Sequence, residues 1–203
     1  MFTGIVKGLF PVSHASKKGN LLNYSIAFTD ELLKDLQIGA SVSVDGTCQT
    51  VVRVEGSHVW FDAIPETLQK TTLKFLTPGQ KVNIERAARF GDEIGGHLLS
   101  GHVFGTAQIS QIVQKEHLYA VHIQCPAEWM KYILPKGFIA LDGASLTIVD
   151  TYPSGEFTVH LIPETIRQTT FGYKKEGDPL NLELDAQTQA IVDTVERIMA
   201  AKN

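Results

Sequence analysis

The chain has 203 residues, of which 43% are hydrophobic and 20% are charged, and its 18 basic and 22 acidic residues give a net charge of −4. This composition is typical of a globular protein of one or two domains that needs no disulfide or metal to form its core. The mild acidity excludes nucleic acid as the expected partner. No apolar run approaches the length of a membrane span and no secretory signal pattern is present, so we expect a cytoplasmic protein.

Short strands are predicted along the first half of the chain. In Leu22 to Phe28 the even positions are large and apolar, which is typical of a half-buried strand. Further strands are predicted at 42–44, 51–54, 59–61 and 82–84, and a short helical stretch at 30–36. These turn-separated strands indicate an all-β barrel or sandwich.

The second half predicts matching elements and one long helix. Strands are expected at 106–112, 118–125, 138–141, 148–150, 157–161 and 180–184, with a helical stretch at 127–134. The long helix covers 186–201, carries Ile191, Val192, Val195, Ile198 and Met199 on one stripe, and has Asp185 in place as N-cap. The stripe could pack on a second subunit or on the chain's own barrel.

Internal repetition is the most informative feature of the sequence. At a shift of 97 residues MFTGIVKG lies over LLSGHVFG, and VDGTCQTVV lies over LDGASLTIV. At a shift of 98 IPETLQKTT lies over IPETIRQTT, and VNIE lies over LNLE. A unit this long is a complete small domain rather than a solenoid repeat. We therefore expect domains at 1–97 and 98–185 and a terminal helix at 186–203.

Positions that differ between the two repeats indicate where chemistry could lie. Cys48 lies over Ser145, Ile5 over His102, and Gln49 over Leu146. His102 is the best candidate for proton transfer, because an imidazole titrates near neutral pH and isoleucine does not. The competing interpretations are structural: the D-G-x-x-x-T blocks suit a hairpin turn, and His102 could be a structural histidine. Likewise Lys136 could be a solvated turn residue, Asp185 only an N-cap, and IPET a structural corner.

Cys48 and Cys125 lie in unrelated contexts, without a C-x-x-C pair or a Cys/His cluster. They predict free thiols in a reducing compartment. His97 and His102 lack a further spaced ligand, so no metal site is expected.

Taken in their order, the motifs resemble the riboflavin synthase family of the trimeric, α-chain type. The resemblance rests on MFTGIV, on its echo SGHV after GGHLL, on DGTCQT and DGASLT, on the doubled IPET and on AQTQAIVDTVER. It covers the chain from Met1 to the last helix. It implies two tandem six-stranded Greek-key barrels plus a C-terminal helix through which three chains associate.

The resemblance also implies an activity. Two molecules of 6,7-dimethyl-8-ribityllumazine exchange a four-carbon unit and give riboflavin and 5-amino-6-ribitylaminouracil, without a metal or cofactor. Each site is expected between the first barrel of one subunit and the second barrel of its neighbour. The rival interpretation is a non-catalytic lumazine- or flavin-binding fluorescent accessory protein, which would lack the second-barrel polar set and the trimerising helix.

The site residues are carried over from the resemblance onto matching positions. The expected first-barrel contacts are Gly4, Ile5, Val6, Cys48, Gln49, Thr50, Asp62, Ala63, Ile64, Pro65, Glu66 and Thr67. The expected second-barrel contacts are His102, Val103, Phe104, Lys136, Ser145, Leu146, Thr147, Pro163, Glu164, Thr165, Ile166 and Arg167.

Six of the polar residues are expected to act in catalysis. His102 and Thr147 are expected to handle protons, Ser145 and Cys48 to lie near the reacting carbons, Lys136 to supply a charge and Asp185 an electrostatic effect. Gln49 departs from the apolar residue expected in relatives, and we expect it to alter only the affinity of the first barrel.

Overall fold

Two closed barrels of six antiparallel strands make up most of the chain, and a helix follows them. A computed structural model describes residues 1–202. The first barrel contains β1 (Gly8–Lys18), β2 (Leu21–Ala27), β3 (Ser41–Val44), β4 (Thr47–Glu55), β5 (His58–Ala63) and β6 (Lys81–Arg86). The second contains β7 (Gly105–Lys115), β8 (Leu118–Gln124), β9 (Phe138–Leu141), β10 (Ala144–Tyr152), β11 (Glu156–His160) and β12 (Pro179–Leu184).

The strand order is the same in both barrels. It is β1-β2-β5-β4-β3-β6 in the first and β7-β8-β11-β10-β9-β12 in the second. Three consecutive hairpin strands, β3 to β5, return beside β2, which is the Greek-key arrangement. Closure leaves no free sheet edge. The predicted fold class, two tandem six-stranded barrels with a terminal helix, is confirmed.

The one-residue change in repeat shift lies in a single turn. Two residues, 56 and 57, join β4 to β5, whereas three residues, 153 to 155, join β10 to β11. Each barrel nevertheless has its own core. Tyr24 and Phe61 lie at the centre of the first core, and Phe157 and Phe171 at the centre of the second.

The structure corrects several predicted elements. No strand was expected before Leu22, yet β1 is eleven residues long. Its alternation is weak because only Val12 is fully buried and Pro11 interrupts the run. The helical stretch expected at 30–36 is only α1 (Asp30–Leu33), and the one expected at 127–134 is a 3-10 helix, Ala127–Tyr132.

Two short helices were not predicted. Both IPET motifs form them, as α2 (Pro65–Lys70) and α3 (Pro163–Gln168), each with proline in the first turn. Each is followed by a 3-10 helix, Thr72–Phe75 or Thr170–Gly172.

The terminal helix, α4 (Ala186–Ala200), begins at the predicted cap. The Asp185 carboxylate accepts a hydrogen bond from the Thr188 amide at 2.8 Å. Val192 packs on the second core, and Tyr132 donates to Asp193. The rest of the stripe, Ile191, Val195, Ile198 and Met199, is at least half exposed. Within residues 1–202 no helix has the length and apolar character needed to cross a membrane.

Candidate active site

The two barrels meet across a seam at which equivalent residues face each other. Gly46 and Gly143 touch at its centre, both with positive φ, and a Cβ on Gly46 would lie 2.6 Å from the Gly143 nitrogen. No larger residue fits this approach. Asn83 donates from its side-chain amide to the Asp142 carbonyl at 2.8 Å, and its mate Asn181 donates to the Asp45 carbonyl at 2.7 Å.

The segments that precede β1 and β7 cross this seam. Phe2 and Leu99 pair through two backbone hydrogen bonds of 2.8 and 2.9 Å. Beyond them the Gly4 carbonyl accepts from the Ser145 amide at 2.9 Å, and the Gly101 carbonyl accepts from the Cys48 amide at 2.8 Å. Each segment therefore covers the site strand of the other barrel.

This crossing corrects the expected grouping of the site residues. Gly4, Ile5 and Val6 were expected beside Cys48, but Gly4 contacts Ser145 and Val6 packs on the second core. His102 and Val103 were expected beside Ser145, but they lie with Cys48. The repeat shows only that the two halves are alike, and so it gives no information on which half covers which.

The first pocket contains Cys48 and His102. It has a volume of about 200 Å³ and is lined by Thr47, Cys48, Glu66, Thr67, Lys70, Thr71, Gly101, His102 and Val103. The Cys48 side chain is half-buried and His102 is exposed. One thiol, one imidazole and three threonines thus surround one small opening.

The second site contains a serine and histidine pair. The Ser145 Oγ lies 2.7 Å from His97 Nδ1, and the His97 ring stacks on Phe138 with centroids 5.0 Å apart. His97 is buried, and its Nε2 has no hydrogen-bond partner among the described residues. Burial lowers the pKa of His97, although the charge of Asp185 opposes that shift. The imidazole is therefore neutral near pH 7 and can fix the direction of the Ser145 hydroxyl.

Sequence reasoning missed His97 as a site residue because it was weighed only as a metal ligand. Its partner is 48 positions away, and no motif joins the two. The one available signal was its place in the Gly-rich segment before the second crossing segment. Within residues 1–202 no group of three metal-ligating side chains is present.

Alternation along the strands places some of the expected contact residues inside the barrels and others on the outside. Gln49, Ala63 and Leu146 point into the barrel cores, whereas Thr50 and Thr147 are exposed. Gln49 accepts a hydrogen bond from Tyr24 at 3.2 Å and donates to the Cys48 carbonyl. The structure therefore places Gln49 in the first core rather than in a pocket.

The remaining expected contacts lie on the surface around the barrels. Lys136 is exposed in a turn at φ 66°, with its amide bonded to the Ile148 carbonyl at 2.9 Å. Phe104 packs edge-on against Trp129. Asp62 accepts from Asn23 at 2.7 Å.

The IPET glutamates form local ion pairs. Glu66 pairs with Lys70 at 3.1 Å, and Glu164 pairs with Arg167 at 2.6 Å. Pro163, Ile166 and Arg167 also line a cleft of about 560 Å³ beside the β7–β8 turn. A cleft of about 640 Å³ at the seam, around Phe75 and Tyr173, contains none of the expected residues.

Comparisons with known proteins gave matches over almost the whole chain. The lumazine binding domain family model matches residues 3–87 and 100–185. Riboflavin synthase of Escherichia coli (strain K12) is 48% identical over 203 residues, covering 100% of this chain and 95% of that protein. The riboflavin synthase of Chlamydia pneumoniae is 47% identical over 201 residues, covering 99% and 98%.

Solved structures resemble the whole two-barrel unit. The crystal structure of LumP complexed with riboflavin has a TM-score of 0.84 and 29% identity, and the alignment covers 91% of this chain and 100% of that one. LumP complexed with 6,7-dimethyl-8-(1'-D-ribityl) lumazine has a TM-score of 0.80 and 30% identity, with coverage of 90% and 98%.

Proposed function

Because the chain belongs to the riboflavin synthase family, we propose that it converts two molecules of 6,7-dimethyl-8-ribityllumazine into riboflavin and 5-amino-6-ribitylaminouracil. The observation that carries this proposal is the match of the lumazine-binding model to both halves, over 3–87 and 100–185. One barrel holds one lumazine and the other barrel holds the second. The two products together contain every atom of the two substrates, so the overall reaction needs no external oxidant or reductant.

The first pocket binds one lumazine. Its contacts are Cys48, Thr50 and the segment 62–67, completed by His102 and Val103 from the crossing segment. In this pocket His102 takes and returns the proton of the 7-methyl group, since an imidazole can do both near neutral pH. The position of His102 beside Cys48 and Thr67 supports this role.

The second site binds the other lumazine. Its contacts are Ser145, Thr147, Lys136 and the segment 163–167, completed by Gly4, Ile5 and Val6. The Ser145 hydroxyl lies near the reacting carbon of the bound lumazine ring. The neutral His97 orients this hydroxyl through the 2.7 Å hydrogen bond. Asp185 contributes a negative charge near His97, which its effect on the pKa of His97 supports. His102 and Thr147, assigned together from the resemblance, thus serve different sites.

The working unit is a homotrimer in which the first pocket of one subunit faces the second site of its neighbour. A volume of about 200 Å³ is small beside typical ligand pockets of roughly 300–1,000 Å³, so a second surface is needed to enclose a lumazine. The exposed stripe of α4 supports association through that helix. We assign residues 1–97 and 98–185 to the two lumazine-binding domains and 186–203, of which 203 lies outside the described residues, to the trimerising segment that contains α4.

Stacking two identical molecules face to face supplies much of the rate. Holding two reactants in the reactive geometry contributes about 7–11 kcal/mol in well-oriented systems. The reducing cytoplasm is the compartment that we propose, because Cys48 and Cys125 are both free.

The test is incubation of the purified protein with the lumazine alone, in the presence of a chelator. We expect riboflavin and the ribitylaminouracil to form in equal amounts, and the Ser145→Ala protein to be the matched control. Tight lumazine binding without any riboflavin would instead identify a non-catalytic lumazine- or flavin-binding protein.

A further inference from the structure

Two buried glutamates hold the crossing segments in place. Glu85 in β6 and Glu183 in β12 are mates in the VNIE and LNLE motifs and are 3% and 6% exposed. Neither glutamate was among the expected site residues. Both carboxylates face a segment that leads into the opposite barrel's site.

Glu183 binds the segment that carries His102. Its Oε1 accepts from the Ser100 amide and from the Ser100 hydroxyl, both at 2.7 Å. Its Oε2 accepts from the Gly101 amide at 3.1 Å. Glu85 repeats the pattern, accepting from the Thr3 amide and hydroxyl at 2.7 Å and from the Gly4 amide at 3.0 Å.

A hydroxyl relays each contact to the next residue. The Ser100 hydroxyl donates to Glu183 and accepts from the His102 amide at 3.0 Å. The Thr3 hydroxyl donates to Glu85 and accepts from the Ile5 amide at 3.3 Å. Because the hydroxyl donates its proton to the carboxylate, a lone pair on the hydroxyl oxygen accepts the hydrogen bond from the amide. The backbone position of His102 is therefore tied to Glu183.

The burial of the Glu183 carboxylate disfavours its ionised form. Burial raises the pKa of Glu183, and the three donors and the nearby His102 oppose that shift. Charge-assisted hydrogen bonds of this kind are shorter and stronger than neutral ones, which favours a fixed geometry.

We infer that Glu183, acting through the Ser100 hydroxyl, is the positioning residue for His102, and that Glu85, acting through Thr3, positions Ile5 in the same way. The inference deepens the proposed function and rests on the proposed proton-transfer role of His102. A displacement of about 1 Å at a reacting group can cost about a hundredfold in rate, so a fixed backbone at His102 matters to turnover.

The first experiment removes the relay and then restores it. Ser100→Ala breaks the link to the His102 amide, and Ser100→Thr keeps a hydroxyl, as Thr3 does at the equivalent position. We expect Ser100→Ala to lower kcat by at least about tenfold with lumazine KM within about threefold, and Ser100→Thr to restore most of kcat. Glu183→Gln should resemble Ser100→Ala, because its amide would set a donor against the Gly101 N–H.

The second experiment asks whether the effect passes through His102. In a His102→Gln protein, Ser100→Ala should lower kcat by less than about twofold further, because coupled residues are non-additive. In the matched control, the Thr3→Ala, His102→Gln double variant, the losses of kcat from the two single changes should multiply. If the losses of kcat from Ser100→Ala and His102→Gln also multiply in full, the inference is overturned.

An activity-independent measurement separates this inference from the proposed function. Amide hydrogen exchange should accelerate at Gly101 and His102 in Ser100→Ala, and at Gly4 and Ile5 in Thr3→Ala. Unchanged exchange at His102 would overturn the positioning role. Full turnover of His102→Gln would instead refute the proton-transfer role of His102, whatever the exchange result.

Discussion

At the scale of single residues, repeat mates have separate tasks because the crossing segments put them in separate sites. His102 lies beside Cys48, and its mate Ile5 lies on the side of Ser145. In the proposed function, one polar group of each mate pair acts in each site, His102 in the first pocket and Ser145 in the second site. Their mates, Ile5 and Cys48, are proposed mainly to shape the two sites.

The first prediction follows from this division. His102→Gln and Ser145→Ala should each lower kcat by more than about tenfold, since general acid–base assistance is typically worth about 10²–10⁴. Ile5→Ala and Cys48→Ser should change kcat by less than about threefold, because neither removes a proton-transferring group. Steady-state kinetics with lumazine titrations would measure both. A Cys48→Ser enzyme as inactive as Ser145→Ala, with intact affinity, would make the thiol a direct participant.

The second prediction concerns the protonation of His97. Its pKa lies below the ordinary value of 6.5, so between the folded and the ordinary pKa only the unfolded chain binds a proton. The stability that the neutral ring contributes is therefore present above pH 6.5 and is lost as the pH falls. A proton NMR titration of the ring should give a midpoint below that of the chain unfolded in urea. A midpoint at or above the unfolded value would contradict a buried neutral ring.

Sequence alone could locate the diverged pairs but not all of the site. His102, Ser145 and Cys48 stood out because their mates differ in chemistry. His97 did not, because its significance lies in one side-chain contact and in burial, which no local pattern records. Gln49 was carried over from the resemblance as a contact of the first barrel, whereas the structure buries it against Tyr24, from which it accepts a hydrogen bond.

Among the secondary-structure elements, the two equivalent seam turns differ in one half-buried cation. Asp45 and Asp142 both have positive φ, and each accepts a hydrogen bond from the amide of Asn83 or Asn181 at 2.7 Å. Asp142 also pairs with Lys174 at 3.0 Å. The repeat mate of Lys174 is the buried Leu76, so among residues 1–202 Asp45 has no ion-pair partner of its own, although the charge of Lys174 also acts to lower the pKa of Asp45. Burial and the charge of Asp142 raise the pKa of Asp45.

The third prediction compares Asp45→Asn with Asp142→Asn. A raised carboxylate pKa makes the folded state bind the proton more tightly, so stability falls as the pH rises above the ordinary value of 3.8. Asp45→Asn should keep or raise the unfolding free energy at pH 7 and flatten that decline. Asp142→Asn removes the ion-pair partner of Lys174, which keeps its hydrogen bond to the Pro179 carbonyl and the nearby charge of Asp45, and should cost about 1–3 kcal/mol. Denaturant unfolding at several pH values measures the unfolding free energies of both variants. A loss of unfolding free energy in Asp45→Asn as large as in Asp142→Asn would contradict the difference between the two turns.

The fourth prediction concerns α4. Ile191, Val195 and Ile198 are 65%, 50% and 52% exposed, and each would contribute about 1.5–3 kcal/mol if fully buried between subunits. Changing all three to serine should give smaller species by light scattering. Thr194→Ala is a matched control on the same helix. A triple variant that remains trimeric would show that the helix does not hold the subunits together.

Strands were predictable where large apolar residues alternate with small or polar ones in the sequence. β2 has this alternation, although the structure buries residues 22–26 on both faces, and its prediction differs from the structure by one residue at each end. β1 was missed because its buried positions are few, and α2 and α3 were missed because six residues are too short for a helical period to show.

At the scale of the whole molecule, the repeat predicted two barrels but not how they meet. Equivalent glycines touch at the seam because an approximate two-fold axis relates the two halves. That relation arises from packing between segments that are distant in the sequence. The exchange of crossing segments has the same origin. It makes each site depend on both halves of the chain, which local patterns in one half cannot reveal.

We propose that a complete active site joins the first pocket of one subunit to the second site of its neighbour. His102→Gln disables the first pocket of its chain, and Ser145→Ala disables the second site of its chain. Both variants would be produced together with different tags, and assemblies containing both would be purified. We predict a rate of about one third of the wild-type rate, since a cyclic mixed trimer has one intact pair among its three sites. Mixed assemblies no more active than either variant alone would contradict the claim.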